Sequence, residues 1–321
     1  MIPIRTESPV PVRPVLTGAL ILLNVAAFLW SRSAGEAAFQ QRVFAYGLTP
    51  RDLFAEAPVL YLFVDDTPIA SVDVDSGDAV PLVPGAEHVL RQLRGVDLGE
   101  VDRPFTVRVP RTRELRIGGG RFAMRERPDV VTVTPVRART SPYAAVFTSM
   151  FLHGSWLHLI GNLWFLWLFG PALEAVMGGL RYVGFYLLTG VAAVAAHVID
   201  DPTSTLPVVG ASGAISGVMG GFLMLFPHAR VLAAMPWFFG LIPLPAFVFL
   251  GFYLVEQIVM SLRFTDLSGG VAWWAHIGGF GAGMVLVGFA RRKLRRRTRF
   301  ERSDPWTARR SDTLDDDPRF W

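Results

Sequence analysis

Residues Val209–Pro227 read VGASGAISGVMGGFLMLFP. Ser212 lies between Gly210 and Gly213, where a polar loop (DPTSTLP, 201–207) turns into an apolar segment with helical character. Small residues recur at Ser216, Gly217, Gly220 and Gly221, a pattern that lets a second helix approach the backbone closely. Two readings of this stretch stand side by side. One is a packing helix whose serine merely caps its start, since Ser is a favoured N-cap; the other is a serine placed for chemistry. Histidines in segments of the same kind weigh toward the second.

The chain has 321 residues, 51% of them hydrophobic, and a mean hydropathy of +0.38, too apolar for an ordinary soluble protein. Its 31 glycines agree, because Gly is commoner in membrane helices than in soluble ones. The absence of cysteine excludes disulfides, thiolate catalysis and Cys-ligated metal. A net charge of +4 does not point to nucleic acid, because the excess is concentrated in RRKLRRRTRF (291–300), directly after an apolar run. That is the composition of a cytoplasmic membrane flank.

Hydropathy predicts six spanning segments: Val15–Trp30, Phe147–Val176, Tyr182–Ile199, Ser212–Phe226, Leu241–Leu262 and Val271–Ala290, each near the ~20 residues a bilayer requires. The first has no small-residue cleavage site after it and is read as a retained helix rather than a signal peptide. Phe54–Thr140 differs in kind, with short β-type runs (LYLFV, IASVDV, FTVRV, RFAM, VVTVTPV) separated by turn residues. It reads as a small β-rich domain inserted between the first two spans; Val89–Leu93 fits a helix or a strand equally. The expected organisation is 1–53 as cytoplasmic N-terminus, first span and start of the first loop, 54–140 as the insert, 141–290 as the remaining bundle, and 291–321 as a basic, disordered tail.

Six spans put both termini on one side, and Arg5, Arg13 and the 291–299 cluster mark it as cytoplasmic. Spans two, four and six then all enter from the outer face, and the polar residues of interest lie near the start of those three. His158 and Asn162 are four apart and share a helix face; Ser212 opens span four; His276 lies a few residues into span six. Polar residues inside a membrane are costly and are functional candidates. A serine hydroxyl becomes a nucleophile only when a base takes its proton, and His276 is the candidate base. The backbone N–H of Ser212, the Asn162 amide and His158 are candidate oxyanion donors. Gly210 and Gly213 leave room for a substrate backbone. No acidic residue is placed to orient His276, so the reading is a Ser–His dyad, with Ser216 as the lesser candidate nucleophile.

HGSWLHLIGN, GASGAISG and AHIGG, in this order, resemble the rhomboid intramembrane serine proteases. The resemblance covers 141–290 well and 15–53 loosely, and leaves out the insert and the tail. It implies an all-α polytopic membrane protein, a six-helix rhomboid-like bundle carrying the β-rich insert between its first two helices. It further implies Ser212 and His276 as the catalytic pair, His158 and Asn162 about the oxyanion, and Gly210, Gly213 and Gly279 as structural support. Implied substrates are membrane proteins cut in or near a transmembrane segment. No metal or other cofactor and no nucleic acid is expected; membrane lipid is, in a bacterial plasma membrane, and the insert is a candidate docking module for an extracytoplasmic partner. The chain departs from the family at Ala144-Ala145, where many bacterial members carry Trp-Arg, and at Ser216, where some place an aromatic ring against the catalytic histidine. Orientation of His276 is then expected to rest on packing by Gly213, Gly217, Gly279 and Gly283.

The remaining polar residues have quieter readings. His153 shapes the loop, His197 and His228 are interfacial, and Glu174 is a cap or an ion-pair partner of Arg181. Glu256, in mid-span, has no firm assignment. Two rival functions are a non-catalytic rhomboid-like protein that binds membrane clients, and a transporter. The first has no use for both Ser212 and His276; the second usually shows an internal repeat, and none is visible.

Overall fold

The computed structural model describes residues 2–6, 14–55, 58–64, 66–94, 96, 98, 101, 103–109, 112–117, 120–125, 129–235, 240–263 and 271–303. In chain order the elements are β1 (Ile2–Thr6), α1 (Val15–Arg32), α2 (Gly35–Tyr46), a 3₁₀ turn (Pro50–Leu53), β2 (Val59–Val64), β3 (Thr67–Asp73), β4 (Ala79–Pro81), α3 (Ala86–Gln92), β5 (Phe105–Val109), β6 (Thr112–Ile117), β7 (Gly120–Arg125), β8 (Asp129–Arg137), α4 (Pro142–Thr148), α5 (Trp156–Met177), α6 (Gly179–Asp200), α7 (Ser212–Leu225), β9 (Arg230–Met235), β10 (Gly240–Pro245), α8 (Ala246–Arg263) and α9 (Trp273–Ser303). Among the described residues five helices, α1, α5, α6, α8 and α9, are long and apolar enough to cross a membrane; α7 is equally apolar but has 14 residues.

The chain divides into two compact units, one of Met1–Phe28, Met150–Pro202 and Val209–Trp321, the other of Leu29–Ser149 and Thr203–Val208. In the first, α7 is buried along nearly its whole length. Its glycines explain how. A Cβ on Gly217 would run into Thr189 of α6, one on Gly213 into Ala193 of α6, and one on Gly220 into the Phe280 carbonyl of α9. The contact is reciprocal: a Cβ on Gly279 or Gly283 of α9 would strike the carbonyl of Gly213 or Gly217. Two glycine rows four residues apart thus let α7 and α9 meet backbone to backbone, the small-residue packing that replaces hydrophobic driving force between helices in lipid. Phe169, Phe222 and Phe249 fill the space beside that seam, Phe169 meeting Phe222 edge-on at 5.1 Å.

Helix α1 begins with no acidic residue in its first turn, so its orphan N–H groups are satisfied from another helix. The Glu174 carboxylate of α5 accepts from the backbone of Leu16 and Thr17, each at 2.8 Å, and from Thr17 Oγ1 at 2.7 Å. Glu174 is therefore a cap, and its partner is α1 rather than Arg181. Glu174→Ala leaves these donors buried and unpaired and is expected to cost about 3 kcal/mol, read as a lowered thermal midpoint of the protein in detergent micelles. An unchanged midpoint would contradict the capping role.

Several boundaries differ from the hydropathy reading. Span five starts at Ala246, not Leu241, because Pro243 and Pro245 lack N–H groups and are disfavoured in a helix interior; Leu241–Pro245 lies instead in β10, which pairs antiparallel with β9. β1 pairs with the other edge of β9, and Trp164 Nε1 and Thr6 Oγ1 tie it to α5 through the Pro3 and Leu168 carbonyls at 2.6 and 2.7 Å. Span two starts at Trp156: Ser141, whose side chain accepts from the Ala144 N–H at 3.2 Å, caps the separate α4. α9 continues as helix through Arg291–Ser303, the first part of the stretch expected to be disordered, and 304–321 lie outside the described residues.

In the second unit, an antiparallel sheet runs in the order β4-β3-β2-β8-β5, with β6 and β7 as a separate hairpin. Alternation along β2 sends Leu60 and Leu62 into a cluster with Ala86 and Leu93 around α3 and turns Tyr61 and Phe63 to Phe44 of α2 at 4.8 and 5.4 Å. A strand buried on both faces has an uninterrupted apolar run (LYLFV) for that reason. The Tyr61 hydroxyl donates to Asp52 Oδ2 at 2.6 Å, and burial raises the Asp52 carboxyl above its ordinary range against the lowering effects of Tyr61 and Arg51. Val89–Leu93, left open between helix and strand, falls largely in α3; β4, β6 and α2 had no clear sequence signal.

Candidate active site

Gly210 has φ +127°, a conformation open to glycine and strained for other residues. It turns the loop into α7 so that Ala211 takes the N-cap position and Ser212 becomes the first helical residue. No side-chain cap hydrogen bond forms at that end. The reading of Ser212 as a simple cap therefore does not hold. Its Oγ lies 2.7 Å from His276 Nε2, and the ring of His276 is further flanked, edge-on, by Trp273 at 6.2 Å. His276 reaches the serine because the glycine seam brings α9 against α7: Gly279, three residues on, is the point of closest approach to Gly213.

His158 and Asn162 come to the same place from α5. Ser155 caps that helix, accepting from the His158 N–H at 3.1 Å, which fixes the turn on which both residues sit. A Cβ on Gly210 would lie 2.7 Å from His158 Cε1, 2.9 Å from its Nε2 and 3.7 Å from Asn162 Nδ2. The His158 ring and the Asn162 amide therefore flank Gly210, two residues before Ser212. Asn162 Nδ2 is buried and has no hydrogen-bond partner among the described residues. A buried donor without an acceptor is costly and is suited to a developing negative charge. Gly210→Ala pushes a methyl group into the His158 ring at a backbone angle that resists it. It is expected to slow reaction of Ser212 with a serine-directed probe by at least about tenfold, by analogy with loss of an oxyanion donor; a rate within about twofold of the unsubstituted chain would contradict this geometry.

All seven sequence-derived site residues, Ser212, His276, His158, Asn162, Gly210, Gly213 and Gly279, thus lie in the first unit and along one path of contacts. Three further side chains join them. Gln257 of α8 places Oε1 2.7 Å from His276 Nδ1, and Tyr253, one turn earlier, sets its hydroxyl 2.6 Å from Ser216 Oγ. Ser216 Oγ is therefore hydrogen-bonded to Tyr253. His153 is fully buried with its ring 5.2 Å from that of His158; burial first, and then His158, push its imidazole down to about 4, so it stays neutral near pH 7. His197, read as interfacial, is instead buried in α6. Glu256 is exposed on α8. Among the described residues no cluster of His, Asp or Glu could hold a metal ion.

A family model described as the rhomboid domain matches residues 141–293. Among curated proteins, the putative rhomboid protease YdcA of Bacillus subtilis is 29% identical over 142 residues, 44% of this chain and 71% of that protein. Rhomboid-related protein 2 of Mus musculus is 34% identical over 180 residues, 54% of this chain and 51% of its own. The mitochondrial rhomboid protein 1 of Saccharomyces cerevisiae is 34% identical over 92 residues, and the match spans only 27% of its length. The matched region of this chain contains α5 to α8 and most of α9, with Ser212, His276, His158 and Asn162 inside it. Residues 141–293 of this chain are a rhomboid domain, similar to those of rhomboid proteins in bacteria, fungi and mammals.

Proposed function

We propose that this protein is an intramembrane serine endopeptidase that cuts membrane-protein substrates in or near a transmembrane segment, close to the outer face of the bilayer. The observation that carries the reading is the 2.7 Å contact between Ser212 Oγ and His276 Nε2, made between apolar helices and near Asn162 Nδ2, which has no partner among the described residues. His276 Nε2 takes the Ser212 proton as Oγ attacks the scissile carbonyl. The negative charge that develops on the carbonyl oxygen is met by the Ser212 N–H, free of an intrahelical acceptor at the start of α7, with Asn162 and His158. His276 then gives its proton to the leaving amine, and a water, deprotonated by the same ring, hydrolyses the acyl-enzyme. Gly210, Gly213 and Gly279 hold these groups in register. No step calls for a metal or cofactor.

The membrane arrangement belongs to the same proposal. The five long apolar helices span, and α7 is the sixth. At 1.5 Å per residue its 14 residues cover about 21 Å, roughly 9 Å less than a ~30 Å hydrocarbon core. A short helix whose inner end is level with its neighbours starts below the outer surface, which sinks Ser212 into the membrane beneath the loop that precedes it. Both termini are cytoplasmic by the charge pattern, and the β-rich insert is extracytoplasmic, where it is suited to recognise substrate or a partner. Protease-named relatives support the reaction class.

The test is cleavage of a labelled single-pass transmembrane protein by the purified full chain in proteoliposomes. Fragments separated at or near the transmembrane segment, absent with Ser212→Ala, are the expected result. An intact substrate with a well-folded protein that nevertheless binds it would overturn the proposal in favour of a client-binding rhomboid-like protein.

A further inference from the structure

Helix α8 is apolar, and polar groups inside such a helix are costly unless bonded. Two of them face the bundle one turn apart, Tyr253 and Gln257, while Glu256 faces outward. Gln257 is almost fully buried, and its Oε1 sits 2.7 Å from His276 Nδ1. A carbonyl oxygen cannot donate, so this contact is a hydrogen bond only when Nδ1 carries the proton. In a neutral imidazole the other nitrogen is then the acceptor. That other nitrogen, Nε2, is the one 2.7 Å from Ser212 Oγ.

We propose that Gln257 is a positioning residue of the reaction: its amide oxygen selects the Nδ1–H tautomer of His276 and holds the ring with Nε2 toward Ser212. This rests on the reading of Ser212 and His276 given above. The device suits its surroundings, because a neutral amide orients the base without burying a second charge among apolar helices. It also replaces the expectation that glycine packing alone orients His276: packing sets the distance between α7 and α9, whereas the amide sets which nitrogen is proton-free. The neighbouring hydrogen bond between Tyr253 and Ser216 fixes the same face of α8 against α7. The other titratable groups that act on His276 are His158 of α5 and His197 of α6.

The test compares the full-length protein in detergent with Gln257→Met and Gln257→Glu, reading the rate of fluorophosphonate labelling against pH, with Ser212→Ala as the blank. Met keeps the length and removes the acceptor, so labelling is expected to slow at least about tenfold, as wrong-tautomer variants of Ser-His sites do. Glu restores the acceptor and is expected to recover the rate at alkaline pH. A carboxylate beside Nδ1 also favours the imidazolium, and the base acts only when neutral, so the acid limb moves to higher pH. His158 and His197 are present in every variant, so that displacement reports position 257. Gln257→Met labelling within about twofold of the unsubstituted chain overturns the inference, as does a Gln257→Glu profile that is unmoved. A merely structural role would lower the thermal midpoint of both variants and leave the limb in place. If Gln257→Met does not fold, Gln257→Glu alone decides through the limb. Failure of the unsubstituted chain to label overturns the reading of Ser212 itself, and the inference with it.

Discussion

Ser212→Ala and His276→Ala are each expected to lower kcat for a transmembrane substrate by about 10⁴-fold or more, with the thermal midpoint nearly unchanged. The size follows from the role proposed for each residue. Without Oγ no acyl-enzyme forms; without Nε2 the hydroxyl remains protonated and a poor nucleophile. In the proposed mechanism the two act as one unit across a 2.7 Å contact, so the double variant is expected to be about as slow as either single one rather than slower by the product. Ser216→Ala is the control. Its hydroxyl is committed to Tyr253, and its loss is expected to leave the rate within a few-fold. A double variant showing fully multiplicative losses would mean that Ser212 and His276 do not share a step.

The second large effect comes from the seam between α7 and α9. Gly279→Ala puts a methyl group onto the Gly213 carbonyl, and this neighbour is backbone, which cannot swing aside. The helices must separate, at a cost of about 3 kcal/mol or more for an overpacked site. Because Gly213 follows Ser212 and Gly279 follows His276 by three residues, separation also lengthens the Ser–His contact. Both a lower thermal midpoint and a loss of activity of 10²-fold or so are expected, the scale that follows a 1 Å misplacement. Gly281→Ala provides the comparison within the same helix: a Cβ there meets nothing within 4 Å, and stability and activity are expected to be retained. Equal behaviour of the two alanine variants would contradict the close backbone contact.

Most of the candidate site was legible because its residues carry local signals. Ser212 sits at a glycine-flanked helix start, His158 and Asn162 share a helical face, and His276 stands in a Gly-rich apolar segment. Gln257 was overlooked because its neighbour Glu256 drew attention by its charge. The usable signal was the i, i+4 pairing of Tyr253 with Gln257, two polar residues on one face of a largely apolar helix. The limits of span five escaped a hydropathy reading because Leu241, Ile242 and Leu244 count as apolar regardless of the prolines among them. β1 and β9 were hidden for a different reason, since their pairing joins residues more than two hundred positions apart and leaves no local period. The second unit was readable where strands are buried on both faces, as in β2, and obscure at the short, exposed β4.

The most direct single measurement is to label the detergent-solubilised full chain with a fluorophosphonate and locate the adduct by mass spectrometry of the peptides. An adduct on Ser212, lost in His276→Ala while the protein stays folded, is the predicted result. An adduct on Ser216, or a folded protein that takes up no probe at any serine, would contradict the assignment of Ser212 as the nucleophile activated by His276.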